Sequence, residues 1–581
     1  MTPKDFELKN INRKAITKIS LKEKGLETLR QISEEAVIFI IRPDKDIFNV
    51  VLEIHLMLKA LRPNLTENLI FIPRENYDII EYITTNNMLA EFNIENFNID
   101  LIPIDIDLFS LEKENNIKEI YIEKNLSSIS ELANAVVKLE TCFGKIKYKY
   151  VKGDLAQTFC DTMKEKEKEN DLRISDDEIL GMIVLDRSVD FITLMTTNYT
   201  CEGLIDENIG INMGKINIKE SIIKENIKQN NNINNKSANH TTAFGLTTDI
   251  NPNFCSFRCM HYKVALKYIR TVRDYYKDLF NNKNSKQLTL KELEKVTTKL
   301  KSFQNIQNNL IMNENLMNYV IEPLLDKEHL KFIEKEQNLL SGEYPNNLQS
   351  YYDEILCEQK DLVTLIKLMV IESLTQNGVQ NYQKLKKEIL NIYGFQKIFL
   401  FRDLEMLGWL KEKQIIKIKN IKDIINLTYS QIYEKLNLVS EIDQLAQAQD
   451  CSYVLGGFCP ISLKIIETAV YGKWNSIIDI LRKIPGETNY PEDETVISNP
   501  TKDRNIMFII FVGGVTYTEI EAIRFLNRKF AEESLNKKRK KTQFIILTTS
   551  ILNSKKILQN LGKEIYSAFN MKMFFEQLNK K

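Results

Sequence analysis

Short, unbroken apolar runs separated by amphipathic stretches fill the first third of the chain. Val37–Ile41, Leu69–Ile72, Leu101–Ile104 and Ile117–Ile122 are continuous rather than alternating. Such runs predict strands covered on both faces, as in a parallel sheet. Between the first two, Ile47, Val51, Ile54, Leu58 and Leu61 fall on one helical face. Residues 1–125 are therefore expected to form an α/β domain with crossover helices.

A second α/β pattern covers residues 126–214. Helix-like Ile129–Thr141 and Asp154–Lys168 precede a strand at Ile179–Leu185, which runs into Asp186-Arg187-Ser188. The tract Lys215–His240 is dense in Asn, Lys and Ile. It buries too little apolar surface to fold, so residues 215–252 are expected to be a flexible insertion. From Asn253 to Leu445 the period turns helical, as in Tyr262–Phe280, Leu290–Phe303 and Leu362–Leu374, giving helical segments over 253–380 and 381–484. Strand chemistry returns over 485–581: Ile506–Val512, Gly513-Gly514, a helix, then Phe544–Leu547. Thr516 and Glu519 have capping-box spacing at the start of that helix. The predicted fold class is α/β plus an all-α insertion, with the second α/β domain interrupted and then resumed.

With 581 residues the chain exceeds one hydrophobic core. Lys+Arg and Asp+Glu balance at 79 each, so no global field draws it to nucleic acid or anionic lipid. The opening MTPKDFELKNINRKA has no apolar core of a signal peptide. Runs such as Ile506–Val512 fall far short of the ~20 residues that span a bilayer. Eight scattered cysteines without a secretory signal read as reduced cytosolic thiols, so Asn198-Tyr199-Thr200 is not expected to be glycosylated.

Candidate chemistry narrows the picture further. Asp186 and Asp190 follow a strand, where a haloacid-dehalogenase-type phosphatase keeps its nucleophile. That reaction needs carboxylates two positions apart, and the second position is Ser188. Capping and pairing around Arg187 is the expected role. Gly513-Gly514 lacks the third glycine of a dinucleotide fold and the Gly-Lys-Ser/Thr of a phosphate loop, so a tight turn is expected. Cys255, Cys259 and His261 offer three soft ligands but no fourth, and are expected to be buried thiols beside a structural histidine. His55, His240 and His329 adjoin no nucleophile motif. The run KKRKK at Lys537–Lys541 is expected to be a solvated turn. No catalytic, cofactor or metal constellation stands out, which points to a binding or scaffold protein rather than an enzyme.

Several blocks carry a resemblance. Ile183–Asp190 (IVLDRSVD) followed by Tyr199–Glu207 (YTCEGLIDE) resembles the signature of the SM (Sec/Munc) family of SNARE regulators. The second block is similar to the vacuolar protein sorting branch numbered thirty-three, the SM subunit of the HOPS and CORVET tethers. Glu388–Leu400 with Leu404–Leu410, then Ser452–Pro460 with Trp474 and Pro485-Gly486, then Phe511–Leu526 (FVGGVTYTEIEAIRFL) agree in order, as does Leu101–Asp105 with Asp107-Leu108. The resemblance runs from about Ala36 onward. The family opens with a helix and a first strand, and this chain is expected to begin after them, through either a truncated opening or a smaller first sheet.

This resemblance implies a three-domain arch in which two parallel-sheet domains carry a helical domain with a protruding hairpin. It implies SNARE assembly on that arch, in vesicle docking and membrane fusion at endosome, lysosome or vacuole. The expected partners are SNARE heptad helices and a class C vacuolar sorting scaffold subunit, with membrane association indirect and no nucleic acid. On the hairpin, Lys291–Ser341, the residues expected to touch SNAREs are Lys299, Asn305, Asn309 and Lys327. Tyr382, Lys386, Tyr393 and Phe395 are expected to meet the tether subunit. Asp186, Arg187, Asp190, Glu202, Gly203, Gly513 and Gly514 are expected to be structural signature residues. A scaffold without SNARE contact is the alternative, ahead of an α/β hydrolase or phosphatase.

Overall fold

The computed structural model describes residues 36–562 except 44, 73, 76, 98, 114, 170–177, 224–240, 284–289, 414–427, 441–447, 492–503 and 537–539. The chain forms two compact units, residues 1–100 and 101–581. The shortened opening expected of the first domain falls on residues 1–35, outside the described residues.

In the first unit, β1 (Ala36–Ile41), α1 (Lys45–Leu61), β2 (Thr66–Phe71), α2 (Tyr77–Thr85) and β3 (Asn93–Asn96) alternate. The strands pair in parallel in the order β1-β2-β3. Phe48, Val51, Leu69, Phe71, Ile79, Ile83 and Phe92 make its core. Val51, Ile54 and Leu58 of the expected helical face are buried, whereas Ile47 is exposed. β1 departs from the reading of a strand covered on both faces, because Ala36, Ile38 and Ile40 are exposed. The exposure alternates along the strand, so one face packs on the core through Phe39 and Ile41 and the other is open. A buried pair, His55 Nδ1 to Glu67 Oε2 at 3.0 Å, links α1 to β2.

The second unit starts with β4 (Ile102–Asp105) and β5 (Leu108–Ser110), followed by α3 (Ser127–Phe143), β6 (Lys145–Lys152), α4 (Asp154–Glu169) and β7 (Glu178–Asp186). The run Leu101–Ile104 is a strand as expected. It pairs antiparallel with β5 in the large sheet, however, and not with the first unit's strands. Ile117–Ile122 is corrected outright: Lys118–Ile122 is a single π-helical turn closed by Glu123 N–H donating to the Lys118 carbonyl at 3.0 Å. A buried apolar run this short satisfies either geometry, and Ile117 and Ile120 are buried without joining a strand ladder.

After α5 (Cys201–Asn208), β8 (Lys215–Lys219) pairs antiparallel with β9 (Thr241–Gly245). This corrects the loop reading of 215–252 at both ends. Ile216 and Ile218 bury one side, and that apolar alternation holds the ribbon against the core, joined by Ile223 of the helical turn that follows. Helices then follow for some two hundred residues: α6 (Tyr262–Lys283), α7 (Leu290–Ile321), α8 (Lys327–Leu340), α9 (Leu348–Cys357), α10 (Leu362–Thr375), α11 (Tyr382–Tyr393), α12 (Ile398–Met406), α13 (Thr428–Leu436) and α14 (Ile461–Val470). The chain returns through β10 (Thr488–Asn489), β11 (Arg504–Val512), β12 (Val515–Thr516), α15 (Tyr517–Leu535), β13 (Lys541–Thr548), β14 (Ile551–Leu552) and α16 (Ser554–Asn560).

The seven-stranded sheet has the order β10-β6-β7-β11-β13-β5-β4. β11 lies between β7 and β13, parallel to both, with Met507 opposite Gly181. Its continuous apolar run Ile506–Val512 is what a central parallel strand requires. The sheet is thus shared between the chain before the helical insertion and the chain after it.

Candidate functional site

Asp186, Arg187, Asp190, Gly513 and Gly514 converge at the carboxyl ends of β7 and β11, where all their polar side-chain groups but the buried Arg187 Nε are hydrogen-bonded. Asp186 accepts from Tyr121 Oη at 2.5 Å, from the Ser188 amide at 2.8 Å and from the Leu155 amide at 3.1 Å. Arg187 is buried, donates through Nη1 to Glu519 Oε2 at 2.6 Å, and reaches the Asp190 carbonyl through Nη2. Asp190 accepts from Thr193 Oγ1 at 2.7 Å and the Ser462 amide at 3.2 Å. Glu519 closes the capping box with Thr516 while holding Arg187, so one carboxylate fixes both a helix start and the signature arginine. The Thr516 and Glu519 amides of this helix start are thus paired within the chain. Gly513 and Gly514 have φ of 98° and 110°; a Cβ on Gly513 would lie 2.9 Å from Arg187 Cβ, and one on Gly514 would collide with Leu552.

A second buried network lies beneath the first. Arg524 donates to both carboxylate oxygens of Asp107 at 3.0 Å each, and to Glu202 at 2.6 Å. Arg258 pairs with Asp105 at 2.5 Å. Glu521 accepts from the amides of Glu202 at 3.0 Å and Gly203 at 3.3 Å. Burial, and then the neighbouring Glu202 charge, pushes the Glu521 carboxyl well above the usual range. Gly203 starts α5 tightly: a Cβ there would lie 2.8 Å from the Asn198 side chain. Buried Lys152 donates to the carbonyls of Ile484 at 2.9 Å and Gly486 at 2.6 Å, tying β6 to the returning chain. This arrangement joins segments, its carboxylates meeting cations or backbone amides drawn from distant parts of the chain.

Cys255, Cys259 and His261 hold no shared ligand geometry, and no metal-holding cluster of His, Cys, Asp and Glu occurs among the described residues. Burial pushes the Cys259 thiol up to about 12 and the His261 imidazole down to about 4. His261 stacks on Tyr262 at 4.7 Å.

The hairpin expected at Lys291–Ser341 is shifted: α7 pairs with the preceding helix α6, and the end of the expected span, with Lys327, is the separate helix α8. Arg270 Nε donates to Glu314 at 2.9 Å across the pair, and Arg273 pairs with the same carboxylate. Of the expected SNARE contacts, Asn305 and Lys327 are exposed. Lys299 is on α7, but its side chain lies outside the described residues. Asn309 is corrected: its carbonyl oxygen accepts from Asn253 at 3.2 Å and Asn313 at 2.9 Å, so it locks the hairpin base. Sequence reasoning passed over Tyr275 on α6, Tyr319 on α7, Leu325 in the turn into α8 and Leu330 on α8, all exposed. Their signal is apolar character off the buried stripe, readable only once that stripe is known.

The tether candidates divide. Tyr382 is 1% exposed and donates to Glu405 at 2.5 Å, so it is a core residue and not a surface anchor. Lys386 also meets Glu405, at 2.6 Å, and Tyr393 donates to the Lys360 carbonyl at 2.5 Å. Phe395 is 71% exposed, beside exposed Ile392.

α8 carries a titrating group of its own. Glu336 is buried, accepts from the Thr197 amide at 3.0 Å and Oγ1 at 2.9 Å, and burial pushes its carboxyl from 4.5 up to about 7. A carboxyl with a raised folded pKa favours folding below the unfolded value, and that advantage is lost as pH rises to about 7; the difference approaches about 3 kcal/mol. Glu336→Gln keeps an acceptor for the amide. Its urea-unfolding midpoint is expected to exceed the parent's at pH 8 and to match it at pH 5.

The sequence matches the Sec1 family over residues 5–560, which extends ahead of Ala36. It is 25% identical to a "Vacuolar protein-sorting-associated protein 33 homolog" of Arabidopsis thaliana, covering 85% of this chain and 81% of that one. It is 24% identical to "Vacuolar protein sorting-associated protein 33A" of Rattus norvegicus, over 90% of this chain and 86% of that one. Among solved structures, the Unc18–syntaxin 1 complex from Monosiga brevicollis aligns with a TM-score of 0.57 at 12% identity, covering 92% of this chain and 89% of that one. Sly1p in complex with an N-terminal peptide of Sed5p aligns with a TM-score of 0.54 at 12% identity, over 93% and 87%.

Proposed function

This chain belongs to the Sec1 family, and we propose that it acts as a SNARE regulator of the vacuolar sorting type, holding SNARE helices in register during vesicle docking and fusion. The observation that carries this reading is the helical hairpin α6–α7, inserted within the sheet unit and fastened at its base by Asn253, Asn309, Asn313 and Glu314. SNARE motifs are amphipathic heptad helices prone to wrong pairing when free. A fixed hairpin offers them a helix-in-groove platform, and holding two at once lowers the cost of nucleating the bundle. The work is done by binding, without bond chemistry, and the closed ion networks at the signature supply rigidity.

Membership of a HOPS- or CORVET-type tether at endosomes, lysosomes or vacuole is part of the same proposal. It is supported by the vacuolar sorting relatives. Exposed Phe395 and Ile392 suit an aromatic anchor for a class C scaffold subunit, with Lys386 nearby on α11. No helix among the described residues is long and apolar enough to cross a membrane.

The test is a pull-down of the full chain, with its class C partner, against endosomal and vacuolar SNARE motifs. Saturable binding is expected, weakened by Asn305→Glu with Lys327→Glu and unaffected by Phe395→Ser. The Phe395 variant is expected to lose the scaffold subunit instead. Scaffold binding with no SNARE binding would make the chain a structural subunit only.

A further inference from the structure

A cleft of about 400 Å³ opens on the second unit where α15, the start of β13 and the β4–β5 turn meet. Ile106, Asp107, Arg258, Arg524, Arg528 and Lys541 are among its walls. Its charges are uneven. Arg524 is matched by Asp107 and Glu202, and Arg258 by Asp105 with Glu202 a further 3.9 Å contact. Arg258 is only 5% exposed, so it forms the floor of the cleft and its charge is already answered. Arg528 and Lys541 are exposed and make no ion pair among the described residues. Glu532, one turn along α15 from Arg528, is the other exposed acid on that stretch. The balance at the mouth is positive.

Apolar side chains flank these cations. Ile106 is 62% exposed on the cleft wall. Leu535 is 84% exposed, one turn beyond Ala531 on the helix face that carries Arg524, Asn527 and Arg528. A protein interface would want a contiguous apolar centre. Single apolar anchors set among unpaired cations instead match the chemistry of an anionic membrane surface, with insertion at the headgroup boundary and electrostatic attraction to phosphate.

We propose that this cleft and its rim, Ile106, Arg528, Leu535 and Lys541, form a direct docking site for an anionic lipid surface, with a phosphorylated headgroup facing Arg528 and Lys541. This goes beyond SNARE regulation and beyond recruitment through partner proteins. It adds a weak contact that orients the chain on the membrane where its partners are bound.

The experiment is flotation of the purified full chain with vesicles of phosphatidylcholine alone, or with phosphatidylserine or a phosphorylated phosphatidylinositol added. Binding to the anionic vesicles alone is expected, falling with salt because the rim charges are solvent-exposed. Arg528→Glu with Lys541→Glu is expected to weaken it about tenfold or more, and Ile106→Ser with Leu535→Ser to weaken it at constant salt. Thermal stability and SNARE capture should be unchanged, since all four side chains are exposed. Competition by soluble inositol phosphate would support the headgroup in the cleft. Equal flotation of the parent and the charge-reversed variant would overturn the proposal. So would capture of polyglutamate without vesicle binding, which assigns the rim to an acidic protein segment.

Discussion

Arg524→Ala is expected to destabilise the second unit by about 3–5 kcal/mol, enough to remove most of the soluble protein. The buried guanidinium serves three carboxylates at once: Asp107 at 3.0 Å through two nitrogens, Glu202 at 2.6 Å and Asp105 at 3.4 Å. Truncation leaves Asp107 without its cation and Glu202 with only the 3.9 Å contact to Arg258, which still holds Asp105. Arg524→Lys is not expected to rescue, since an ammonium cannot span both Asp107 oxygens and Glu202 in the plane of one fork. Removing the acids together with the cation should recover stability: Arg524→Met with Asp107→Asn and Glu202→Gln is expected to unfold at a higher urea concentration than Arg524→Ala.

Arg187→Ala is the second large effect, again about 3–5 kcal/mol. Here the loss strands Glu519, whose carboxylate also caps α15, so the helix start and the β7 end loosen together. Glu519→Gln separates the two roles, because an amide oxygen still accepts from Thr516 while the ion pair is gone. A double-mutant cycle of Arg187→Met and Glu519→Gln, read by urea unfolding, should show the single changes to be strongly non-additive. Additivity would mean that the pair contributes nothing beyond its separate hydrogen bonds.

Much of the architecture was legible because parallel strands buried on both faces leave unmistakable runs. Ile506–Val512 and Phe544–Leu547 are strands at the centre of the sheet, and the Thr516–Glu519 spacing is a true capping box. The reading failed at Ile117–Ile122, where Lys118-Glu119 interrupts the run and Ile117 and Ile120 stand three apart; it is a π-helical turn that places Tyr121 against Asp186. Apolarity reports burial, and only neighbouring strands decide between ladder and helix. The Asn-rich tract misled for the opposite reason: Ile216 and Ile218 fall at strand period inside a polar composition that argued for a loop.

Site residues were legible in kind and less so in accessibility. Asp186, Arg187 and Asp190 were expected to pair and cap, which they do, but their partners Glu519 and Ser462 lie far along the chain and no local spacing announces them. Tyr382 and Phe395 are both aromatic residues in one helical segment, yet one is core and the other is surface. That difference comes from Glu405 and Phe401 of α12 meeting Tyr382, which sequence period cannot reveal.

The shared sheet has a consequence for synthesis. Arg187 and Glu519 stand 332 positions apart, and β11, the strand beside β7, is made after the helical insertion. At ribosomal speeds of roughly 5–20 residues per second, β7 waits on the order of 20–60 s for its neighbour. During that interval its apolar edge is open, and the helices between are already free to collapse. The nascent chain therefore spends its most aggregation-prone period with its hairpin complete and its sheet unfinished, so chaperone occupancy should be highest on chains stalled between α14 and β11.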